Sequence, residues 1–364
     1  MKSIKLTFLF LIVLLLGIRN DISAQQHKLN VVVAGLSHDH VHNIMNQYRK
    51  GEVEISAIAE PDKKLWQKYR KLYNLPENIF YSDLKQALSN RKPDAVLGYN
   101  PVAQHVDVVE ICAPMHIPVM VEKPLAANLA QAQRIKLLAD KYKIKVLTNY
   151  ETTWYNSFKE VYDLAKKDSL GIIRKMVVHD GHKGPREIGC SEEFLSWLTD
   201  PVLNGAGALN DFGCYGANLM TWIMNGQKPI AVTAVARHYK PDVYPKVEDD
   251  ATILVEYPNA VGQIEASWNW PFNIKDWEIF GSTGYVHAFD GDKLQVRLSE
   301  NKNSNRKATP LASPYNDPLV YLAAVLDGKI DDSHDQASLT YNMIVMQILD
   351  AAKRSISQGE RIIL

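Results

Sequence analysis

The first 150 residues alternate two hydrophobic rhythms. Val31-Val32-Val33 and Ile55 to Ala59 are short β-branched runs, whereas Val41, Ile44, Met45 and Tyr48 between them recur at the spacing of one helical face. That is a βαβ unit. The pattern predicts further helices from Lys63, over Ser82 to Asn90, from Val102, and from an Asn128 cap toward Lys141. Strands interleave with them: Ala95 to Tyr99, one ending at Val121, and Lys145 to Asn149. Such alternation builds a doubly wound parallel sheet over 25–149.

After Tyr150 the rhythm lengthens. Ile172 to Val178, Ile230 to Tyr239, Ala251 to Tyr257 and Val261 to Trp268 alternate as strands, Pro258-Asn259-Ala260 signals a hairpin, and Leu209 to Met224 reads as one strongly helical block. Asn301 to Ser313 is polar and reads as a loop, and Asp335 to Gln358 as an amphipathic helix ending at Gly359. The expectation for 150–364 is an α+β domain with a mostly antiparallel open sheet. Such a sheet commonly buries its bare face against another subunit, so a homo-oligomer is expected.

Residues 1–24 have the pattern of an export signal. Lys2 and Lys5 precede the apolar stretch Leu6 to Leu16, and Ala24 offers a small residue before Gln25. That stretch is short for a stable membrane span. Export to the periplasm or medium is the expectation. The chain has 41 basic and 41 acidic residues; removing Lys2, Lys5, Arg19 and Asp21 leaves 38 against 40. Near-neutrality excludes the basic surface that nucleic acid requires. Its three cysteines, Cys112, Cys190 and Cys214, lack metal-type spacing, so the fold does not rest on a disulfide framework.

Chemistry concentrates at three places. Glu122-Lys123-Pro124 ends a parallel strand, where open α/β sheets bind cofactors and substrates. The first turn, Gly35-Leu36-Ser37-His38-Asp39-His40, follows a buried strand and opens a helix whose free amides favour an anion. Only Gly35 matches the three-glycine dinucleotide pattern; Ser37 and His40 stand in the other two slots. Glu60 ends the second strand 20 residues past the third slot, where a carboxylate hydrogen-bonds ribose hydroxyls and favours NAD over NADP. His38, His40 and His42 also admit a metal pair, as in many hydrolases, but a helix cap or phosphate contact is preferred and no metal is expected. Finally, Gly205-Ala206-Gly207 leads to Asp211 and Tyr215, four residues apart where a helix begins.

Together, Glu122-Lys123-Pro124, Asn100-Pro101 to His105, the glycine-rich Asp211 segment, Glu248-Asp249-Asp250-Ala251 and Gly281-Ser282-Thr283-Gly284 resemble the glucose-fructose oxidoreductase and inositol dehydrogenase (Gfo/Idh/MocA) family. The resemblance implies an NAD(P)-binding Rossmann domain followed by a substrate and oligomerisation domain. It implies that Lys123 and Asp211 are active-site residues, with Tyr215 where many members carry histidine. It also implies that Gly35, Glu60, Asn100, His105 and Glu122 line the cofactor site. The family's frequent arginine after the sixth strand is missing from Asn149 to Tyr155.

Removing hydride from a carbinol leaves a hydroxyl proton that a base must take. Tyr215 serves if the Lys123 ammonium lowers its pKa from about 10. Alternatively Lys123, its pKa depressed by burial, moves the proton itself. Trp154 suits stacking on a sugar ring, and His182, after a strand, suits a substrate hydroxyl. The expected function is an NAD(P)-dependent sugar oxidoreductase with NAD kept bound, because an exported enzyme meets no pool of free cofactor. Two alternatives stay open: a redox-neutral, NAD-assisted glycoside-cleaving or epimerising enzyme, and a non-catalytic carbohydrate-binding protein on the same fold.

Overall fold

A computed structural model describes residues 28–89 and 91–364, so the expected export signal lies outside the described residues. Six strands, β1 (Asn30–Ala34), β2 (Glu54–Ala59), β3 (Phe80–Tyr81), β4 (Ala95–Gly98), β5 (Val119–Glu122) and β6 (Val146–Asn149), form a sheet in the order β3-β2-β1-β4-β5-β6. All its pairings are parallel, as in a Rossmann fold. The β-branched runs form its centre because both faces are covered. One face carries α1 (Val41–Lys50) and α2 (Lys63–Tyr73), and the other α3 (Leu84–Ser89), α4 (His105–Cys112) and α5 (Leu129–Tyr142). The Asn128 side chain caps α5 by accepting from the Gln131 amide at 3.0 Å, as expected.

Chain then passes through α6 (Asn156–Lys166), β7 (Ile173–Gly181), α7 (Glu192–Leu198), α8 (Ala208–Asp211) and α9 (Gly213–Ile223). Strands β8 (Ala231–Arg237), β9 (Asp250–Glu256), β10 (Val261–Ser267), β11 (Ile274–Gly281), β12 (Tyr285–Ala288), β13 (Lys293–Ser299) and β14 (Lys302–Lys307) follow. Helices α10 (Pro318–Leu326) and α11 (Leu339–Gln358) and strand β15 (Ile362–Ile363) close the chain. The second sheet runs β14-β13-β12-β11-β7-β10-β9-β8-β15 and is antiparallel except for the β10–β7 pair. Its inner face packs on α9 and α11. Its outer face leaves Val235, Leu254 and Phe280 exposed.

Three expectations change here. Asn301 to Ser313 is not all loop, because Lys302–Lys307 is strand β14; it buries neither face, so its polar sequence carries no apolar alternation. The helical block after Leu209 breaks at Phe212 into α8 and α9. The last long helix begins at Leu339, where Ser338 accepts from the Tyr341 amide, rather than at Asp335. The chain also doubles back: Leu319, Tyr321, Leu322 and Val325 of α10 join the core on the α1–α2 face of the first sheet. Among the described residues no helix is long and apolar enough to cross a membrane.

Candidate active site

Lys123 extends from the end of β5 and is 5% exposed. Its Nζ donates to Asp211 Oδ1 at 2.5 Å and to the Asp211 carbonyl at 3.1 Å, joining the two halves of the chain. Asp211 arrives there through a glycine segment that admits no side chain. A Cβ on Gly205 (φ +88°) would lie 2.0 Å from the Ala127 carbonyl, and one on Gly207 would lie 1.9 Å from the Glu248 carbonyl. The Glu248 carboxylate fixes the segment, accepting from the Gly207 and Leu209 amides at 2.7 and 3.0 Å. The second oxygen of Asp211 accepts from Trp268 Nε1 at 3.0 Å.

Burial pulls the Lys123 pKa down, but the Asp211 carboxylate overcomes it and the net shift is upward. Burial likewise raises Asp211, and the ammonium more than offsets it, leaving the carboxylate below its ordinary value. The couple therefore stands ionised. This corrects one expectation: Lys123 is not a resting amine made neutral by burial.

Tyr215 is 1% exposed, and Lys123 Nζ and Lys275 Nζ lie 5.0 and 4.6 Å from its ring centroid. Burial pushes its phenol well above the ordinary value. Burial, with the Glu151 carboxylate adding to it, therefore works against the phenolate on which the Tyr215 alternative depends. Tyr215 is a floor beneath two cations.

Lys275 belongs to a cluster the sequence reading did not assign. Its ammonium pairs with Glu151, just after β6, and lies 3.9 Å from Asp180 Oδ1 on the neighbouring strand. Burial lowers the Lys275 pKa, and Asp180 and Glu151 reverse it to a net rise. Glu151, which burial would raise, is held down by Lys275 and by the Tyr155 hydroxyl at 2.7 Å. Asp180 is 1% exposed, neither of its carboxylate oxygens is hydrogen-bonded among the described residues, and burial drives its pKa well up. A sequence signal existed. Asp180 follows Met176 and Val178, and Lys275 precedes Trp277 and Ile279, so both are ionisable groups on the buried phase of alternating strands. His182 sits beside them, its ring edge-on to Phe212 at 4.9 Å. Its Nδ1 accepts from the Gly184 amide at 2.9 Å and burial lowers its pKa, so the neutral ring keeps its proton on Nε2.

Glu122 is buried between His40 Nδ1 (2.9 Å) and Asn149 Nδ2 (2.8 Å). Burial would raise its pKa, but His40 and Asn149 lower it. Trp154 extends this chain by donating to Asn149 Oδ1 at 3.0 Å, and packs edge-on to Tyr321. With His40, Tyr99, Glu122 and Asp317 it lines a cleft of about 550 Å³. It does not join the Lys123–Asp211 cluster.

A larger cleft of about 740 Å³ is lined by Gly35, Ser37, Glu60 and Asn100, together with residues of α2 and α7. Gly35 has φ +86°, and its Cβ would lie 2.6 Å from the Asn100 backbone, so the turn requires glycine there. Glu60 accepts from the Leu36 and Asp62 amides at 2.8 and 2.9 Å. Among the described residues Ser37 Oγ and Asn100 Oδ1 are buried without hydrogen-bond partners. The carboxylate and amide oxygen suit the ribose hydroxyls of a dinucleotide, and the Ser37 hydroxyl can donate to a phosphate. His105 is placed differently from expectation: it has no exposed surface and supports Leu125 O through Nδ1 at 3.2 Å, beneath the Lys123 segment.

His38, His40 and Glu122 bring ligand-type atoms within 4.8 Å of one another. Each is already engaged. His38 Nδ1 accepts from the His40 amide at 3.1 Å, which puts its remaining proton on Nε2, and His40 and Glu122 bond each other. His42 points away to Tyr73. The turn is instead gripped by α7 and its cap, residue after residue. Trp197 Nε1 donates to the Ser37 carbonyl at 3.3 Å, Phe194 packs 4.6 Å from the His38 ring, and Ser191 donates twice to the Asp39 carboxylate, at 3.0 and 2.6 Å. Across the large cleft Lys68 pairs with Glu193.

Comparison with known proteins gives a consistent assignment. Residues 29–150 match the family model for an oxidoreductase family with an NAD-binding Rossmann fold, and residues 158–287 match the GFO/IDH/MocA C-terminal domain. The chain is similar to trans-1,2-dihydrobenzene-1,2-diol dehydrogenase of Xenopus laevis, 25% identical over 56% of this chain. That match spans 57% of the relative's length. The Oryctolagus cuniculus enzyme of the same name is 23% identical over 80% of this chain and 83% of its own. Among solved structures, aldose-aldose oxidoreductase of Caulobacter crescentus aligns with TM-score 0.78 at 21% identity, covering 93% of this chain and all of the other. An inositol dehydrogenase homologue of Azotobacter vinelandii complexed with NAD+ aligns with TM-score 0.78 at 16% identity, covering 93% and 97%. These structural likenesses speak to the fold.

Proposed function

The chain belongs to the GFO/IDH/MocA oxidoreductase family, and from that premise we propose that it oxidises or reduces a carbinol carbon of a neutral sugar or sugar derivative, using NAD that stays bound. The observation that carries the reading is the ionised Lys123–Asp211 couple, built from both halves of the chain. The dinucleotide, when bound, supplies the hydride acceptor. Ser37, Glu60 and Asn100 would hold it, and the Glu60 carboxylate would repel the extra phosphate of NADP.

In this proposal the Lys123 ammonium binds the substrate oxygen and stabilises negative charge there. As hydride leaves carbon, the hydroxyl proton becomes strongly acidic, so even a carboxylate of depressed pKa can take it, and Asp211 is that acceptor. Oxygen keeps the O–H electron pair and the carbonyl forms. His182 Nε2–H donates to a further substrate oxygen. Names of the similar proteins, an aldose-aldose oxidoreductase, an inositol dehydrogenase homologue and a diol dehydrogenase, all point to polyhydroxylated or dihydroxylated carbon compounds. The expected export signal adds a reason to retain NAD, since two half-reactions can then restore the cofactor in place. Native mass spectrometry of purified protein tests this, followed by nicotinamide fluorescence during sugar addition. Retained NAD that is reduced by one sugar and reoxidised by a second is the expected result; protein that takes up no NAD refutes the reading.

A further inference from the structure

Lys275 has three N–H donors and, among the described residues, one hydrogen bond, to Glu151. Asp180 at 3.9 Å is too distant to take a second directly, yet one oxygen could lie at about 2.8 Å from both. Buried donors without acceptors are rare in native proteins unless a ligand or water completes them. The group is also reachable: the Lys275 side chain is 12% exposed and that of Lys123 6%. Both ammonium groups lie within 6 Å of the same two ring centroids, those of Phe212 and Tyr215. They therefore lie over one shared pair of rings.

We infer that Lys275, fixed by Glu151 and backed by Asp180, is a second substrate-binding ammonium that reads another hydroxyl of the same sugar ring and restricts the site to uncharged polyols. This rests on the sugar oxidoreductase reading above. The charge inventory supports it: Lys123 is matched by Asp211, Lys275 by Glu151, and buried Asp180 is driven toward its neutral form. A sugar acid would bring a carboxylate into a site whose two cations are already compensated. Lys275 touches substrate in this proposal, whereas Glu151 and Asp180 are positioning residues.

The experiment uses NAD-loaded protein with methyl β-D-glucopyranoside, its four monodeoxy analogues and methyl β-D-glucuronide. In the wild type, one deoxy analogue away from the reacting carbon should lose about tenfold or more in kcat/KM. Lys275→Met should lose a similar factor on the parent glycoside, mostly through KM, and show no further penalty for that one analogue. Glu151→Gln leaves Lys275 uncompensated and should raise the ratio of glucuronide to glucoside kcat/KM by about tenfold. A Lys275→Met enzyme that keeps the full deoxy pattern, or a Glu151→Gln ratio like that of the wild type, overturns the subsite and leaves the sugar reading standing. Should Lys275→Met not fold, the Glu151→Gln ratio decides alone. Wild-type protein inert to every neutral glycoside removes the sugar reading, and the subsite with it.

Discussion

At the residue scale the Lys123–Asp211 couple sets the pH behaviour. Folded Lys123 titrates above its ordinary 10.5, so its contribution is complete below 10.5 and fades as pH rises through the folded value. Folded Asp211 titrates below 3.8, so its contribution is complete above 3.8 and fades as pH falls through the folded value. Activity should therefore show no inflection from this couple between about pH 5 and 9, as a kcat/KM profile can check. Lys123→Met should lower kcat/KM by roughly a thousandfold, since it removes the charge that stabilises the developing oxyanion. Asp180 carries the opposite sign. Its folded pKa is raised, so the native state holds a proton the unfolded chain releases, and stability falls as pH climbs from 3.8 through the folded value. Asp180→Asn should match the wild-type Tm near pH 4 and exceed it at pH 8 to 9; equal Tm at alkaline pH contradicts the assignment. Lys123, Asp211 and Glu60 were readable because motif spacing places them at strand and helix ends. The state of Tyr215 was not. It depends on which part of the side chain meets the ammonium ions, and here that is the ring face rather than the hydroxyl.

Elements follow from local signals wherever a cap, an alternation or a turn residue fixes them. Asn128 starts α5 and Gly359, at φ +70°, ends α11, both as the sequence implies. Strand β14 escaped because an edge strand exposed on both faces needs no apolar phase, and its Lys302, Arg306 and Lys307 discourage further pairing. The break between α8 and α9 escaped because a helical pattern runs through it. That break matters to the site, since Asp211 ends one helix while Tyr215 lies in the next. Glycines 205 and 207 make the approach possible. Gly207→Ala would drive a methyl into the Glu248 backbone, which cannot yield as a side-chain end could, and should cost about 2 kcal/mol or more. Chemical denaturation measures that cost, and a wild-type-like midpoint would mean that the segment moves more freely than its contacts imply.

On the scale of the whole molecule, the two halves are not merely adjacent. Helix α10 returns to the core of the first sheet, and α7 of the second half holds Ser37, His38 and Asp39 of the first. Neither crossing could be read from the chain, because each joins residues more than 100 positions apart and neither α7 nor α10 carries a motif of its own. Asp39 looked like one more polar turn residue; its carboxylate receives both donors of Ser191. In the proposal that the larger cleft holds NAD, departure of the nucleotide would disturb this grip and the Lys68–Glu193 pair at its edge. Ser191→Ala combined with Glu193→Gln should raise the NAD dissociation rate by about tenfold or more, read by loss of bound-nicotinamide fluorescence on dilution.

In the proposal that NAD stays bound, the grip of α7 would close over the coenzyme as the two halves meet, so NAD would enter while they are still apart. Heat should reveal that order: protein stripped of nucleotide ought to melt at a lower temperature, and refolding with NAD present ought to recover more active enzyme than adding NAD afterwards.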